Sequence, residues 1–416
     1  MKNLLTFAFL GVLSFAKAQT TTWYEVPTGT IKDLKTICFA SENVGYIGGA
    51  DSLLLKTTDG GKTWSELTYS GVIFTGGGTT IMKLDFVSEE IGYMTVGPYT
   101  GTFKTMDGGI TWESVTMAGT MCYNQGLYFW DENNGLIGGA GCFMGEEIER
   151  IVGGVHSSAT INSPSWMATD YVRDIDFLDA NFGMGVSQSR FLRTTDGGET
   201  WDTISSGTTN YLTAIEIIND TLIYAGYEDL GSGFGLMVSH DSGFTWEYET
   251  EMATFYYPDY YDVAETENGN RYAAAGTYDW VTEGIVFENK GDGWWYYPVA
   301  QPMHGIASHT DSLVFVVGDS GLVVTNVNPA FLSYDQAIRN DFDIQLYPNP
   351  TTHQLIVQST GDDKEGYFHI YSLNGQCVFA GTWLNNPINV SHLPPGEYVL
   401  ELKIGETFIQ KRFIKQ

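Results

Sequence analysis

The string "KTTDGGKTWSEL" occupies Lys56–Leu67, and it recurs in a way that decides the fold. Three further copies are "KTMDGGITWESV" at Lys104–Val115, "RTTDGGETWDTI" at Arg193–Ile204 and "VSHDSGFTWEYE" at Val238–Glu249. Their tryptophans are separated by 48, 89 and 45 residues, so that the long interval holds two units. A period of roughly 40–50 residues is typical of a four-stranded propeller blade.

Each unit also repeats the same internal order of short apolar segments and turns. In the first unit we expect strands near 35–40, 45–49, 53–57 and 63–68, with the repeated string forming the last turn. The third unit keeps only an eroded hairpin at 148–161, and a seventh unit lacks its last strand. The isolated segment "TTWYEVPTG" at Thr21–Gly29 resembles that missing strand. We therefore predict an all-β protein with a seven-bladed β-propeller, in which the N-terminal strand closes the last blade.

The repeated string has a structural interpretation. Its aspartate can accept hydrogen bonds from its own turn, its glycines supply positive φ, and its tryptophan can pack between sheets. We predict structural roles for these residues: Asp59, Trp64, Asp107, Trp112, Asp196, Trp201, Asp241 and Trp246.

The pattern S/T-x-D-x-G-x-T-W resembles the Asp-box, or bacterial neuraminidase repeat. Over residues 21–328 the framework is similar to propellers of the photosystem II assembly factor type. This resemblance implies the fold and carries no activity with it.

From Phe342 onward the sequence no longer follows the repeat pattern of the propeller units. About seven short strands follow in 75 residues, which suits a small immunoglobulin-like β-sandwich. The motifs Tyr347-Pro348-Asn349-Pro350, Asn374-Gly375 and Pro395-Gly396-Glu397-Tyr398, and the ending Lys411–Lys415, occur here in that order. They resemble the type A C-terminal sorting domain of the type IX secretion system of Bacteroidetes. That resemblance implies passage through the outer membrane and contact with the secretion machinery.

The N-terminus reads as a signal peptide. Lys2 precedes an apolar run at Leu4–Phe15, and Ala16-Lys17-Ala18 has the small-x-small pattern of a cleavage site. We therefore predict a signal peptide at 1–18, the propeller at 19–328, a linker at 329–341 and the sorting domain at 342–416. The expected location is the outer-membrane surface or the extracellular space, after export through the periplasm.

The composition limits the partners. The formal net charge is -30, which repels nucleic acid and anionic lipid, and no long apolar run follows the signal peptide. We expect no membrane span, a monomer, and no cofactor. Calcium would suit the carboxylates of Glu146, Glu147 and Glu149, but no calcium-binding motif is present.

Four cysteines occur in the chain, and two of them flank a predicted hairpin. Folding the chain at 131–134 brings Cys122 almost opposite Cys142. An exported chain can hold disulfides. A cross-strand disulfide and two buried thiols both remain open at this stage.

Two long loops supply the candidate ligand site. They are the connection into the sixth unit, "ATFYYPDYYD" at 253–262, and its central loop, "TYDWVTEG" at 277–284. Aromatic rings beside carboxylates suit a neutral sugar or a cationic peptide segment, although the rings could instead pack between blades. The candidate ligand-binding residues are Tyr256, Tyr257, Asp259, Tyr260, Asp262, Tyr278, Asp279, Trp280 and Glu283.

These observations favour a secreted or surface-attached binding protein that recognises glycan or protein through this face. The alternative is a glycoside hydrolase that uses a carboxylate pair there, such as Asp259 with Asp279. A sialidase is disfavoured because the arginines are few and scattered. An assembly role by analogy with the photosystem-related propellers would rest on the fold alone.

Overall fold

The fold is described from a computed structural model of the chain. Its described residues are 21–72, 79–97, 100–115, 121–141, 145–162, 171–188, 190–207, 211–229, 233–252, 261–266, 268–276, 284–291, 293–310, 313–329, 344–359, 366–372, 377–384, 386–404 and 407–416. The predicted all-β class is confirmed, since the elements formed by the described residues are strands apart from one short 3-10 turn at Asp319–Gly321. None of the described residues forms a helix long and apolar enough to cross a membrane.

The strands of the first four blades follow β1 (Tyr24–Glu25) in chain order. Blade one contains β2 (Leu34–Phe39), β3 (Gly45–Gly49), β4 (Leu54–Thr57) and β5 (Ser65–Glu66). Blade two contains β6 (Thr80–Phe86), β7 (Gly92–Gly97), β8 (Gly101–Thr105) and β9 (Glu113–Ser114). Blade three contains β10 (Met121–Asp131), β11 (Asn134–Gly141), β12 (Glu146–Val152) and β13 (Val155–Ser158). Blade four contains β14 (Thr160–Ile161), β15 (Asp174–Phe177), β16 (Gly183–Val186), β17 (Arg190–Thr194) and β18 (Thr200–Ser205).

The remaining propeller strands form three further sheets. Blade five contains β19 (Tyr211–Ile217), β20 (Ile223–Asp229), β21 (Gly233–Ser239) and β22 (Glu247–Met252). Blade six contains β23 (Tyr261–Glu265), β24 (Arg271–Ala275), β25 (Gly284–Asn289) and β26 (Trp294–Val299). Blade seven contains β27 (Met303–Ser308), β28 (Val314–Gly318) and β29 (Val323–Thr325).

The blades are antiparallel meanders arranged in a ring. Within each sheet the strands pair in chain order, and β14 adds to blade four by pairing parallel to β18. The first strands of successive blades contact one another, and β27 contacts β2, so these innermost strands form a closed cycle. The described part of the chain thus contains seven such sheets around a common axis.

The N-terminus completes the seventh sheet. β1 pairs antiparallel with β29, and the amide of Val26 donates to the carbonyl of Val323 at 2.9 Å. Trp23 packs edge-on against Tyr272 of blade six, with ring centroids 6.1 Å apart. The Thr21 hydroxyl donates to the fully buried carboxylate of Glu288 at 2.7 Å. The N-terminal segment of the propeller therefore joins blade six to blade seven.

The four Asp-box turns have the same hydrogen bonds. In the first box, Asp59 accepts from the hydroxyl of Thr57 at 2.8 Å, and from the amide and hydroxyl of Thr63 at 2.9 and 2.6 Å. In the second box, hydrogen bonds from Thr111 lower the pKa of Asp107, so the carboxylate stays charged. Gly61 has φ +86°, and a Cβ there would lie 2.4 Å from the ring of Phe315. These aspartates are occupied in holding their own turns.

Each box tryptophan packs toward the preceding blade. Trp64 clusters with Phe315 and Val317 of blade seven, and Trp112 clusters with Tyr46 of blade one. The ring of Trp246 stacks on Phe191 of blade four at 3.7 Å. Burial of such a side chain contributes on the order of 1.5–3 kcal/mol, so the repeat supplies much of the contact between blades.

In three of the four boxes, a cation at the start of the box reaches the following blade. The Nζ of Lys56 donates to the carbonyl of Gly108 at 3.2 Å, and Arg193 donates to the carbonyl of Ser242 at 3.0 Å. Arg150 of blade three, which has no box, donates to the carbonyl of Gly197 at 3.0 Å. These contacts join one turn to the next around the outer part of the ring.

The C-terminal module forms two further sheets. Its strands are β30 (Ile344–Tyr347), β31 (Gln354–Ser359), β32 (Gly366–Ser372), β33 (Cys377–Trp383), β34 (Ile388–Asn389), β35 (Gly396–Ile404) and β36 (Thr407–Lys415). They pair as β30-β31-β34 and β33-β32-β35-β36 around one core that includes Phe368, Trp383 and Phe413. Asn349 of the Tyr-Pro-Asn-Pro motif accepts from the amide of Ile414 at 2.8 Å, so this motif secures the final strand.

We expect Asp196→Ala to destabilise the propeller by about 1–3 kcal/mol, because it leaves the amide and hydroxyl of Thr200 and the hydroxyl of Thr194 without their acceptor. The measurement is thermal unfolding of residues 19–416, which is the chain expected after removal of the predicted signal peptide. Asp220→Ala, at an exposed turn, serves as the control and should leave the unfolding temperature unchanged. Equal effects of the two substitutions would contradict the role assigned to the box.

Removing residues 19–26 should lower the unfolding temperature by more than about 5 °C, since it exposes the edge of β29 and takes Thr21 away from Glu288. A synthetic peptide of residues 19–30 should restore part of the loss in a concentration-dependent manner. Calorimetry with and without the peptide tests this. An unchanged unfolding temperature in the truncated chain would show that β1 is dispensable for closure.

Candidate functional site

The innermost strands carry charged side chains at alternating positions, and these face the central channel. Lys83 and Asp85 lie on β6, Asp174 and Asp176 on β15, and Glu216 on β19. Alternate residues of a strand share one face, so the intervening apolar residues enter the spaces between blades. Leu84 and Ile175, for example, are buried in such clusters.

Channel aspartates connect neighbouring blades by accepting hydrogen bonds from backbone amides. Asp85 accepts from Phe129 at 2.7 Å, and Asp176 accepts from Ile217 at 2.6 Å. Asp174 accepts from Ile215 at 3.2 Å, and Asp262 accepts from Ile306 at 3.0 Å. In each case the amide belongs to the innermost strand of the following blade. Within the described residues, innermost strands of different blades form no ladder with each other, so these carboxylates satisfy amides that would otherwise lack a partner.

Lys83 is the cation at the centre of this acidic group. Its Nζ lies 2.9 Å from a carboxylate oxygen of Asp174. Burial alone would lower the pKa of Lys83, but the negative charges of Asp174 and Asp262 raise it above its ordinary value. Lys83 therefore remains charged and joins the surrounding carboxylates.

The other carboxylates are more easily protonated than usual. Burial raises the pKa of Asp85 to about 6 and that of Asp176 to about 7. Burial, followed by the charges of Asp176, Asp262 and Asp174, raises the pKa of Glu216 well above its ordinary value.

A cavity of about 50 Å³ lies at one mouth of the channel. Its lining comes from the first halves of the innermost strands, or from the residue just before one, and we call it the mouth cavity. The lining residues are Lys35, Thr36, Met82, Lys83, Gln125, Arg173, Thr213, Asp262 and His304. The cavity therefore opens on the face where innermost strands begin, opposite the Asp-box turns.

The cations around the mouth cavity differ in their partners. The Nζ of Lys35 lies 3.0 Å from Oδ1 of Asp319 and 2.8 Å from Nε2 of His304. The same Nε2 lies 2.6 Å from Oδ1 of Asp319. Burial opposes ionisation of Asp319, yet the hydrogen bond and charge of His304, together with Lys35, lower its pKa to about 2. Arg173 instead lies over the ring of Tyr171 at 5.0 Å.

Of the candidate ligand-binding residues, the described part of the chain contains only Asp262. It lies on β23 rather than in the preceding loop, and its side chain lines the mouth cavity. The other eight candidates lie outside the described residues; they are Tyr256, Tyr257, Asp259, Tyr260, Tyr278, Asp279, Trp280 and Glu283. Their two segments connect β22 to β23 and β24 to β25, whose ends lie on the face of the mouth cavity.

The glutamates considered for calcium lie on a strand. Glu146 pairs with Arg190 at 2.9 Å, and Glu149 pairs with His156 at 2.5 Å. Among the described residues, no group of three or more metal-ligating side chains comes together. The hairpin of β10 and β11 pairs Met121 with Gly141, while Cys142 lies outside the described residues, so the disulfide stays a prediction.

Sequence reasoning missed the charged channel and the mouth cavity. The signal was present in "MKLDF" and "VRDIDF", where charged and apolar residues alternate within strands expected to be innermost. The alternation places Lys83, Asp85, Asp174 and Asp176 on the channel side.

These features define a closed Asp-box propeller followed by a β-sandwich tail, and comparison with known families agrees. Residues 345–416 match the secretion system C-terminal sorting domain. Residues 15–119 match the photosynthesis system II assembly factor YCF48. Both expected resemblances are confirmed. The tail implies type IX secretion to the cell surface or the extracellular space. No match was found among the curated proteins.

Solved structures with similar folds are propellers. YCF48 bound to D1 peptide has 16% identity and a TM-score of 0.57, covering 75% of this chain and 99% of that one. YCF48 from Cyanidioschyzon merolae has 17% identity and a TM-score of 0.56, with 73% and 98% covered. An ancestral GH74 enzyme has 12% identity and a TM-score of 0.55, with 95% and 64% covered. Identities this low establish the fold alone.

We expect Asp85→Asn to stabilise the protein at pH 8 by about 1–2 kcal/mol and to have little effect near pH 4. Because burial raises the pKa of Asp85 to about 6, the folded state keeps a proton between about pH 4 and pH 6 that the unfolded state has lost, and at pH 8 the folded state holds a buried charge. The associated stability is present below the unfolded pKa and is lost as the pH rises through about 6. Asparagine keeps an acceptor for Phe129 without the charge.

Thermal unfolding from pH 4 to 8 measures this difference, with Asp220→Asn as an exposed control. A shift in unfolding temperature that is the same at both ends of the range would contradict the assignment to Asp85.

Proposed function

We propose that this protein is a non-catalytic recognition propeller, delivered by type IX secretion, that binds glycan or protein on the face bearing the mouth cavity. Residues 1–18 are then removed on export, and the sorting domain engages the secretion machinery. The observation that carries the proposal is the mouth cavity, which places charged and polar side chains at the centre of one face of an exported propeller.

The architecture supports a division between the two faces. Hydrogen bonds within the turns and between blades occupy the Asp-box side, as Asp59 and Lys56 illustrate. The opposite face receives the long connections of blade six, with their aromatic and acidic residues. Loops on a rigid scaffold are where binding residues concentrate. We therefore assign the aromatic and acidic candidates of 256–283 to the ligand-binding face.

A related propeller supports protein recognition as one form of this function. The YCF48 structure described above holds a D1 peptide, so a propeller of this shape can bind a peptide segment. For the present chain, aromatic rings beside carboxylates suit sugars as well as cationic peptides.

The glycoside hydrolase alternative is not favoured. The GH74 enzyme is a distant neighbour at 12% identity. Of the candidate carboxylates, the described residues include that of Asp262, which accepts from the amide of Ile306. A hydrolase would need two carboxylates about 5–10 Å apart across a sugar ring.

A glycan-array screen of the exported chain, 19–416, tests the proposal, beside the double variant Tyr257→Ala/Trp280→Ala. We expect retention of at least one glycan class by the parent chain and a loss of about tenfold or more in the double variant, because each stacked ring contributes on the order of 1 kcal/mol. Tyr296→Ala, at an exposed ring on β26, is the matched control.

Reducing-sugar release is assayed on every glycan that binds. Release would assign the protein to the hydrolases instead. If the array is empty, capture with cationic peptides replaces it. Failure of both screens would overturn the proposal.

A further inference from the structure

We propose that the mouth cavity binds the carboxylate of an acidic sugar, a hexuronate residue of a glycan, with the guanidinium of Arg173 as its anchor. The hydroxyl of Thr213 is the second donor. This inference rests on the proposed function and specifies the ligand class of the same face.

Arg173 differs from the other cations of the cavity in having no carboxylate partner among the described residues. Lys83 pairs with Asp174, and Lys35 pairs with Asp319. The guanidinium of Arg173 contacts two aromatic rings, with the ring centroids of Tyr171 and Tyr211 at 5.0 and 5.7 Å. Its Nε is buried and has no hydrogen-bond partner within the described part of the chain. A fixed arginine with donors to spare is suited to a carboxylate.

Thr213 provides an independent indication of a ligand. Its side chain is only 7% exposed, and it lines the same cavity. Its hydroxyl is buried without a hydrogen-bond partner among the described residues. Such a buried group costs about 1–3 kcal/mol when unsatisfied. A carboxylate oxygen on Arg173 that also reaches this hydroxyl would satisfy both donors.

The remaining lining favours a sugar acid over a simple carboxylate. Asp262 and Gln125 bring acceptor oxygens, and Thr36 brings a hydroxyl. A hexuronate presents a carboxylate and several hydroxyl donors on one ring, so it matches a cavity that has both donors and acceptors. A peptide C-terminus offers a carboxylate but no hydroxyl beside it, and a neutral sugar leaves Arg173 without an anion.

The size of the cavity limits what enters it. About 50 Å³ is room for roughly three or four water-sized groups. A carboxylate and the adjoining edge of one sugar ring fit this volume.

Ligand-observed NMR titration of the exported chain with methyl β-D-glucuronide and methyl β-D-glucoside tests the inference. The glucuronide should bind with a Kd at least about tenfold lower than the glucoside, as hydrogen bonds to a charged group imply. Arg173→Gln should weaken glucuronide binding about tenfold or more. Thr213→Val, which keeps the shape of the side chain, should weaken it severalfold.

Arg412→Gln removes the same charge from an exposed position of the tail and should leave binding unchanged. Unfolding temperatures verify that each variant is folded, and Arg173→Lys should recover part of the affinity. Equal binding of glucuronide and glucoside, or no effect of Arg173→Gln, would overturn the inference.

N-acetylalanine serves as the peptide-carboxylate probe, and binding as tight as the glucuronide would exclude the sugar assignment. Equal binding of the two methyl glycosides, together with an array glycan that the Arg173→Gln variant still binds, would leave the proposed function intact while removing this inference.

Discussion

Contact between neighbouring sheets is the interaction on which the rest of this structure depends. A four-stranded blade cannot bury both of its faces alone, so each one needs a neighbour on either side. The box tryptophans supply much of this contact by packing toward the preceding blade, as Trp246 does on Phe191. In a closed ring the last blade must also pack against the first. A blade that lacked a strand would leave one face partly uncovered and one strand edge unpaired. The pairing of β1 with β29 removes that defect and makes the termini of the propeller a single sheet.

The same ring geometry produces the charged channel. Innermost strands of adjacent blades approach each other without forming a ladder, and their amides need acceptors from elsewhere. Carboxylates on alternate residues provide them, with Asp85 and Asp176 each reaching an amide of the next blade. The consequence is a group of enclosed acids around Lys83, with pKa values shifted upward by burial. The closed ring therefore explains both the hydrogen bonds of these carboxylates and the upward shift of their pKa values.

The two faces of the ring carry different kinds of residue for a physical reason. On the Asp-box face, Asp59 accepts hydrogen bonds within its own turn, and Arg193 donates to the carbonyl of Ser242 in the next blade. These hydrogen bonds leave such side chains few donors or acceptors for a ligand. On the opposite face, Arg173 and Thr213 are held in place yet keep donors available in a cavity. A ligand is expected to bind on the face where hydrogen-bond donors remain unpaired, because the bound group can then satisfy donors that the fold itself does not use.

The sequence by itself determined the blades, the tail and the residues of the turns. Period, box pattern and alternation can be read directly from the chain, and the string at Lys56–Leu67 carries the box pattern in full. It did not reveal which side chains of different blades meet. Lys83 and Asp174 are 91 positions apart, and Asp262 and Ile306 are separated by 44, so no short pattern relates them. Only closure of the ring brings the first strands of every blade to one axis. The tertiary structure therefore decided the channel, the partners of its carboxylates and the cavity at its mouth.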